Sequence, residues 1–324
     1  MTRRDAALHA TLAELAKVRG DPTAAESLAL LKKALAGKAS HAAAKAADIV
    51  AECEIDALAP ELVAAFHRFL VQPVRSDPGC AAKAGIANAL YRIGAAEVEV
   101  YLKGIRHVQL EPVWGGKADS ATALRGTCAL ALVRIHYYDY LSEIADLLAD
   151  REAPARKMAA QALGYSENAA AVPLLRLKAL VGDEDPQVLS ECLLAILQIA
   201  ADGGIEFVAR FLDRSEPELA EAAALALGGS RLRAALPALT GWWERTFNPV
   251  LRRSALLAIA MLKHDDAIAY LLAHVGESAP IHARDAVQAL GLYRHDARLR
   301  AQVAAAVERR GDASIQAAFA AAFD

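Results

Sequence analysis

Five stretches of the chain set small and large apolar residues in one order: Ala159-Ala160-Gln161-Ala162-Leu163, Cys192-Leu193-Leu194-Ala195-Ile196, Ala223-Ala224-Leu225-Ala226-Leu227, Ala255-Leu256-Leu257-Ala258-Ile259 and Ala286-Val287-Gln288-Ala289-Leu290. Their last residues follow one another at 33, 31, 32 and 31 positions. Upstream of each stands a proline, Pro154, Pro186, Pro217, Pro249 and Pro280, spaced 32, 31, 32 and 31 apart. Proline in a helix's first turn wastes no hydrogen bond and presets φ, so these prolines mark helix starts. Gly164, Gly228 and Gly291 follow Leu163, Leu227 and Leu290, where a left-handed turn ending the helix would favour glycine.

A second helix follows in each unit, as in Ala171-Val172-Pro173-Leu174-Leu175 and Ala235-Leu236-Pro237-Ala238-Leu239. One such pair cannot bury its apolar face alone, whereas stacked pairs share a continuous core. Leu132 lies 31 residues before Leu163, and Ala84 to Leu90 and Ala42 to Val50 carry the same order. The expectation is an all-α fold, an α-solenoid of helical pairs forming an α/α superhelix over residues 1–324. Residues 1–39 would cap its start, 40–312 would hold about eight repeats, and 313–324 would close it as a lone helix.

These units resemble HEAT repeats of the short variety found in bilin lyases, whose pattern runs Asp-Pro-x-Val-Arg-x-x-Ala-Ala-x-Ala-Leu-Gly. The resemblance is best from about residue 120 to 312. The pattern's arginine stands at Arg125, Arg156 and Arg252 and is replaced by Leu189, Ala220 and Ala283. The resemblance implies a helical-pair fold and a partner surface on the concave side, and it brings no transferable catalytic signature.

Regularity breaks between Leu90 and Leu132, where the spacing grows to 42 and the added residues include Gln109 to Ser120. Insertions in a solenoid map to loops, often on the binding face. Trp114, beside Gly115 and Gly116, either clamps a partner or folds back over an edge of the stack. A second break, Thr240 to Phe247, sets Trp242 and Trp243 side by side. Neighbours on a helix point about 100° apart, so the two cannot be equally buried. Either one is exposed as an interface anchor or the pair is a helix-end plug between repeats.

Counting from each proline, offset +8 falls on Leu194, Leu225 and Leu257. This candidate apolar groove is flanked by Glu191, Glu221, Arg253 and Arg284; the alternative is that the leucines pack against neighbouring helices.

Composition narrows the function. Aromatics are 6% of the chain against 55% hydrophobic residues, so the apolar content is mostly Ala, Leu, Ile and Val, suited to closely packed helices. A formal charge of -3 gives no general electrostatic drive toward nucleic acid. The start lacks a continuous apolar signal core and no stretch approaches a bilayer span, so a cytoplasmic protein without a membrane partner is expected.

Cys53, Cys80, Cys128 and Cys192 form no C-x-x-C pair and read as free thiols. Asp in His264-Asp265-Asp266 and His295-Asp296 reads as a helix cap rather than a metal ligand. The HEAT-repeat di-iron hydroxylases of the deoxyhypusine type use His-Glu dipeptides, which this chain lacks. Neither a nucleophile elbow nor a phosphate-binding glycine pattern occurs, so neither cofactor nor catalytic residues are expected. The leading reading is a non-enzymatic scaffold for a protein or peptide. The alternatives are a HEAT-like alkylpurine DNA glycosylase or DNA-binding protein, using Trp242, Trp243, Arg245, Arg252 and Arg253, and, more weakly, a bilin-lyase-like enzyme.

Overall fold

The computed structural model describes residues 3–324. Its contacts divide into two compact units, residues 1–166 and 167–324. The first contains α1 (Arg3–Lys17), α2 (Ala25–Ala36), α3 (Ser40–Glu52), α4 (Ala59–Leu70), the single turn α5 (Pro73–Ser76), α6 (Ala81–Arg92) and α7 (Val98–Ile105). After them come the strands β1 (Leu110–Val113) and β2 (Gly116–Asp119), then α8 (Thr122–Arg134), α9 (Tyr140–Leu148) and α10 (Ala153–Tyr165). Helices α3, α6, α8 and α10 pack in succession as one row, and α2, α4 and α7 lie against them as a second.

The second unit holds α11 (Val172–Val181), α12 (Pro186–Ile199), α13 (Ala201–Ala209), α14 (Pro217–Ser230) and α15 (Leu236–Arg245). It continues with α16 (Pro249–Met261), α17 (Asp265–Glu277), α18 (Pro280–Leu290), α19 (Ala297–Arg310) and α20 (Ala313–Phe323). One row is α12, α14, α16, α18 and α20, each packed on the next. The fold is an all-α solenoid.

The five periodic prolines occupy the first turns of α10, α12, α14, α16 and α18. Asp185 and Asn248, each just before such a proline, accept from the amides of Gln187 and Val250 and so cap their helices. Leu163, Ile196, Leu227, Ile259 and Leu290 are all buried. The buried alanines between them let successive helices of the row approach closely.

The glycines differ from expectation. Gly164 and Gly228 lie inside α10 and α14, and Gly291 has φ −57° at the end of α18, so none provides a left-handed turn. That conformation falls on other residues of these connections, including His136, Glu167, Arg231 and Lys263, with φ of 50° to 58°. Gly228 instead permits contact: a Cβ there would lie 2.4 Å from the carbonyl oxygen of Ala258. The expected caps divide as well. Asp296 accepts from Arg298 and Leu299 at the start of α19, but α17 starts at Asp265 without a side-chain cap, and Asp266 pairs with Arg233.

Candidate functional site

The insertion is a β-hairpin. Leu110 pairs with Asp119 and Val113 with Gly116 in an antiparallel register, leaving Trp114 and Gly115 as the two-residue turn. Gly115 takes φ +88°, a left-handed value that a side chain would resist. Trp114 is fully exposed at the tip, and Val108, Leu110 and Val113 are each more than half exposed beside it. The indole does not fold back over the stack.

The base of the hairpin is built of buried charge. Arg125, 2% exposed, donates to Asp119 at 2.7 Å, to Asp150 at 3.0 Å and to the carbonyl of His107 at 2.9 Å. The Asp119 carboxylate also accepts from the amides of Gln109 and Ala121. Burial pulls its pKa upward, but those two amides and the Arg125 guanidinium outweigh it, and the carboxyl titrates below its ordinary value. Gln109 reaches the carbonyl of Asp77 at 2.8 Å. Glu111 accepts from Gln109, Ser120 and the amide of Gly79, and these bonds hold its pKa low.

Sequence reasoning missed Lys83 and Asp77. Lys83 stands 42 residues before Arg125, the same interval that separates Leu90 from Leu132, so it occupies the repeat's arginine position with a different cation. The pair is wholly buried at 2.8 Å, and Asp77 also caps α6 through the amides of Ala82 and Lys83. The retained arginines act alike. Arg156 donates to the carbonyls of Asp150 and Arg151, and Arg252 to that of Thr246. They tie each helix to the connection before it.

In the second unit, the +8 row lies at the surface: Leu194 and Leu225 are half-buried and Leu257 is 39% exposed. Arg253 and Arg284 are exposed beside them, and Glu221 accepts from Ser254 at 2.6 Å.

The paired tryptophans separate as helical phase requires. Trp242 is 2% exposed and belongs to the core, which corrects its place among surface candidates. Trp243 is half-buried, edge-on to His274 and His282 at 4.4 and 5.4 Å between ring centroids, with the Arg252 guanidinium 5.0 Å from its ring. Burial, then His282, push the pKa of His274 down. The exposed aromatic of the segment is Phe247, at 84%. Arg245 pairs with Asp213 and Arg252 turns inward, bonding Thr246 and His282. Of the aromatic and basic set expected for DNA, Arg245 and Arg253 are exposed, Arg245 within its pair to Asp213, while Trp243 and Arg252 are half-buried and Trp242 is buried.

Cys80, Cys128 and Cys192 are buried free thiols, and Cys53 is half-buried. Burial pushes the pKa of Cys80 and of Cys192 to about 12 and raises that of Cys128. Among the described residues, no three His, Cys, Asp or Glu side chains are grouped to hold a metal ion, and no helix is long and apolar enough to cross a membrane.

Residues 176–260 match the family model of HEAT repeats. The stacked helical pairs on either side of that segment make the class of fold an all-α solenoid. No curated protein matches it. Among solved structures, it is similar to human deoxyhypusine hydroxylase in complex with glycerol, at 20% identity and a TM-score of 0.32 over 80% of this chain and 91% of that one. It is also similar to the complex of CpcE and CpcF of phycocyanin lyase from Nostoc sp. PCC7120, at 17% identity and 0.36 over 71% and 89%. An engineered protein matches at 19% identity and 0.37 over 97% and 93%. At these scores the overlaps carry no function to this chain.

Proposed function

We propose that the chain is a non-enzymatic scaffold that captures a protein or peptide partner, with the Trp114 hairpin as its anchor. The observation that carries this reading is the contrast within the hairpin: a fully exposed indole at the tip and a base fixed by buried ion pairs. Tryptophan dominates interface energetics when it enters a partner's pocket. An anchor held rigidly before binding loses less conformational freedom on capture than one on a mobile loop. Val113, next to the tip, extends the apolar contact, while Pro112 removes one backbone donor from β1 and discourages indiscriminate strand pairing. The Leu194, Leu225 and Leu257 row offers a second contact surface on the second unit.

Deleting residues 111–119 would remove Glu111 and Asp119 from the buried network, so a point substitution tests the anchor more cleanly. Affinity capture from native lysate with wild type beside Trp114→Ala, read by mass spectrometry and followed by calorimetry with the recovered protein, should show one partner lost. Hot-spot truncation of this kind costs about 2 kcal/mol or more of binding. Recovery of the same proteins by both forms, or of nucleic acid alone, would overturn the reading.

A further inference from the structure

Past its opening proline, α16 exposes one stripe, Val250, Arg253 and Leu257, and α18 exposes another, Ile281, Arg284 and Gln288. Each stripe steps by three and then four residues, which keeps it on one side of its helix. The two helices pack directly on each other and carry their stripes at the same offsets from the proline, so the stripes run side by side about 8–10 Å apart. Val250, Ile281 and, just past α18, Leu292 are about half exposed, and Leu257 somewhat less. The equivalent first positions of α12 and α14 are Gln187 and Glu218, so this apolar surface belongs to α16 and α18.

Its charge is one-sided. The sequences of α16 and α18 hold the arginines Arg252, Arg253 and Arg284 against a single carboxylate, Asp285. Arg252 turns inward, whereas Arg253 and Arg284 are exposed. Asp285 is half-buried, and burial raises its pKa against the pull of Arg253, His282 and Arg284. Lys263 and Arg294, both exposed, follow the ends of the two helices. Of the acids in those turns, Asp266 pairs with Arg233 and Asp296 caps α19, which leaves Asp265. On the α14 side, Glu221 is engaged by the Ser254 hydroxyl. The patch is therefore basic on a chain whose formal charge is -3.

We propose that this face of the second unit binds an acidic amphipathic helix lying along α16 and α18. Its apolar stripe would cover Val250, Leu257 and Ile281, and its flanking carboxylates would meet Arg253 and Arg284. Such a helix presents apolar residues at the same three-and-four spacing as the stripes it covers, and complementary charge at the rim fixes which partner is accepted. A nucleic acid could also meet the arginines, but it would leave the apolar side chains against water, and the chain's net charge opposes a polyanion. The inference rests on the reading of the chain as a scaffold and names the class of partner for its second unit.

The test is fluorescence anisotropy of a labelled peptide of about 18 residues, with Leu at heptad positions a and d and Glu at e and g, titrated with the full chain. Like charges at e and g keep the probe from pairing with itself. It should bind saturably and more weakly as salt rises. The same peptide with Lys for Glu, or with Ser for Leu, should bind at least about tenfold more weakly. The double variant Arg253→Glu, Arg284→Glu should prefer the Lys peptide, with unchanged circular dichroism because both side chains are exposed. Leu257→Ser should weaken the Glu peptide by several-fold, and Trp114→Ala should leave it unchanged. Loss of partner capture at the hairpin with peptide binding intact would remove the anchor reading alone. Capture intact without saturable peptide binding overturns the helix site. So does an unchanged preference in the double variant, peptide binding lost with Trp114, or a single-stranded oligonucleotide binding more tightly than the peptide.

Discussion

Gly228 and Leu227 are adjacent residues that stabilise the fold by opposite means. Leu227 fills space in the core, and Leu227→Ala should cost about 2–5 kcal/mol as a cavity. Gly228 leaves space for the backbone of Ala258, so Gly228→Ala, favourable by helix propensity, should instead destabilise by about 1–3 kcal/mol through overpacking. Urea unfolding of both variants checks the pair; a stabilised Gly228→Ala would show that α14 and α16 can separate freely. Leu227 was legible in the sequence because its spacing repeats. The role of Gly228 was not, since a helix-end glycine and a close-contact glycine look alike until the neighbouring backbone is known. Trp242 and Trp243 pose the same limit, because adjacency required different exposures without saying which residue faced inward.

At the scale of elements, the hairpin and its base form the part that sequence reasoning recovered least. The insertion's limits followed from the broken period, but Trp-Gly is not one of the turn pairs that announce a hairpin. The ion-pair base draws Asp77, Lys83, Glu111, Asp119, Arg125 and Asp150 from separate places in the chain. Arg125→Ala would leave the Asp119 and Asp150 carboxylates without their buried counter-ion, and loss of one partner in such a pair costs about 3–5 kcal/mol. Hydrogen exchange should show the 107–121 segment opening in this variant while α12 to α18 keep their protection. Uniform loss across both units would contradict a local brace.

The Trp243 cluster gives a pH dependence of definite sign. His274 has its pKa lowered by burial and by His282, so the folded chain holds it neutral while the unfolded chain protonates near its ordinary value of about 6.5. Its contribution to stability is therefore present above about pH 6.5 and is lost as pH falls from there through the folded pKa. Urea midpoints followed by tryptophan emission between pH 7.5 and 5 should fall for wild type and fall less for His274→Phe. Equal slopes would remove His274 as the cause.

At the scale of the whole molecule, the architecture was readable because a solenoid writes its core as a period: the prolines, the alanines and the buried Leu/Ile positions recur together. The N-terminal units were harder, since Lys83 replaces arginine and the hairpin interrupts the spacing. The binding chemistry was least legible. It depends on what a turn exposes, as with Trp114, and that is not encoded in a repeat.

The buried thiols make the chain its own reporter of motion. Cys80 and Cys128 sit in one unit and Cys192 in the other, each shielded and held as the unreactive thiol, so an alkylating reagent meets them only when their surroundings open. In native conditions at neutral pH, Cys53 should be modified first and the other three on the slower timetable of local opening, resolved site by site in a mass-spectrometric time course. If all four react together, the thiols are reached without opening; if they do not, four natural side chains record the order in which the stack loosens, with no probe added by substitution.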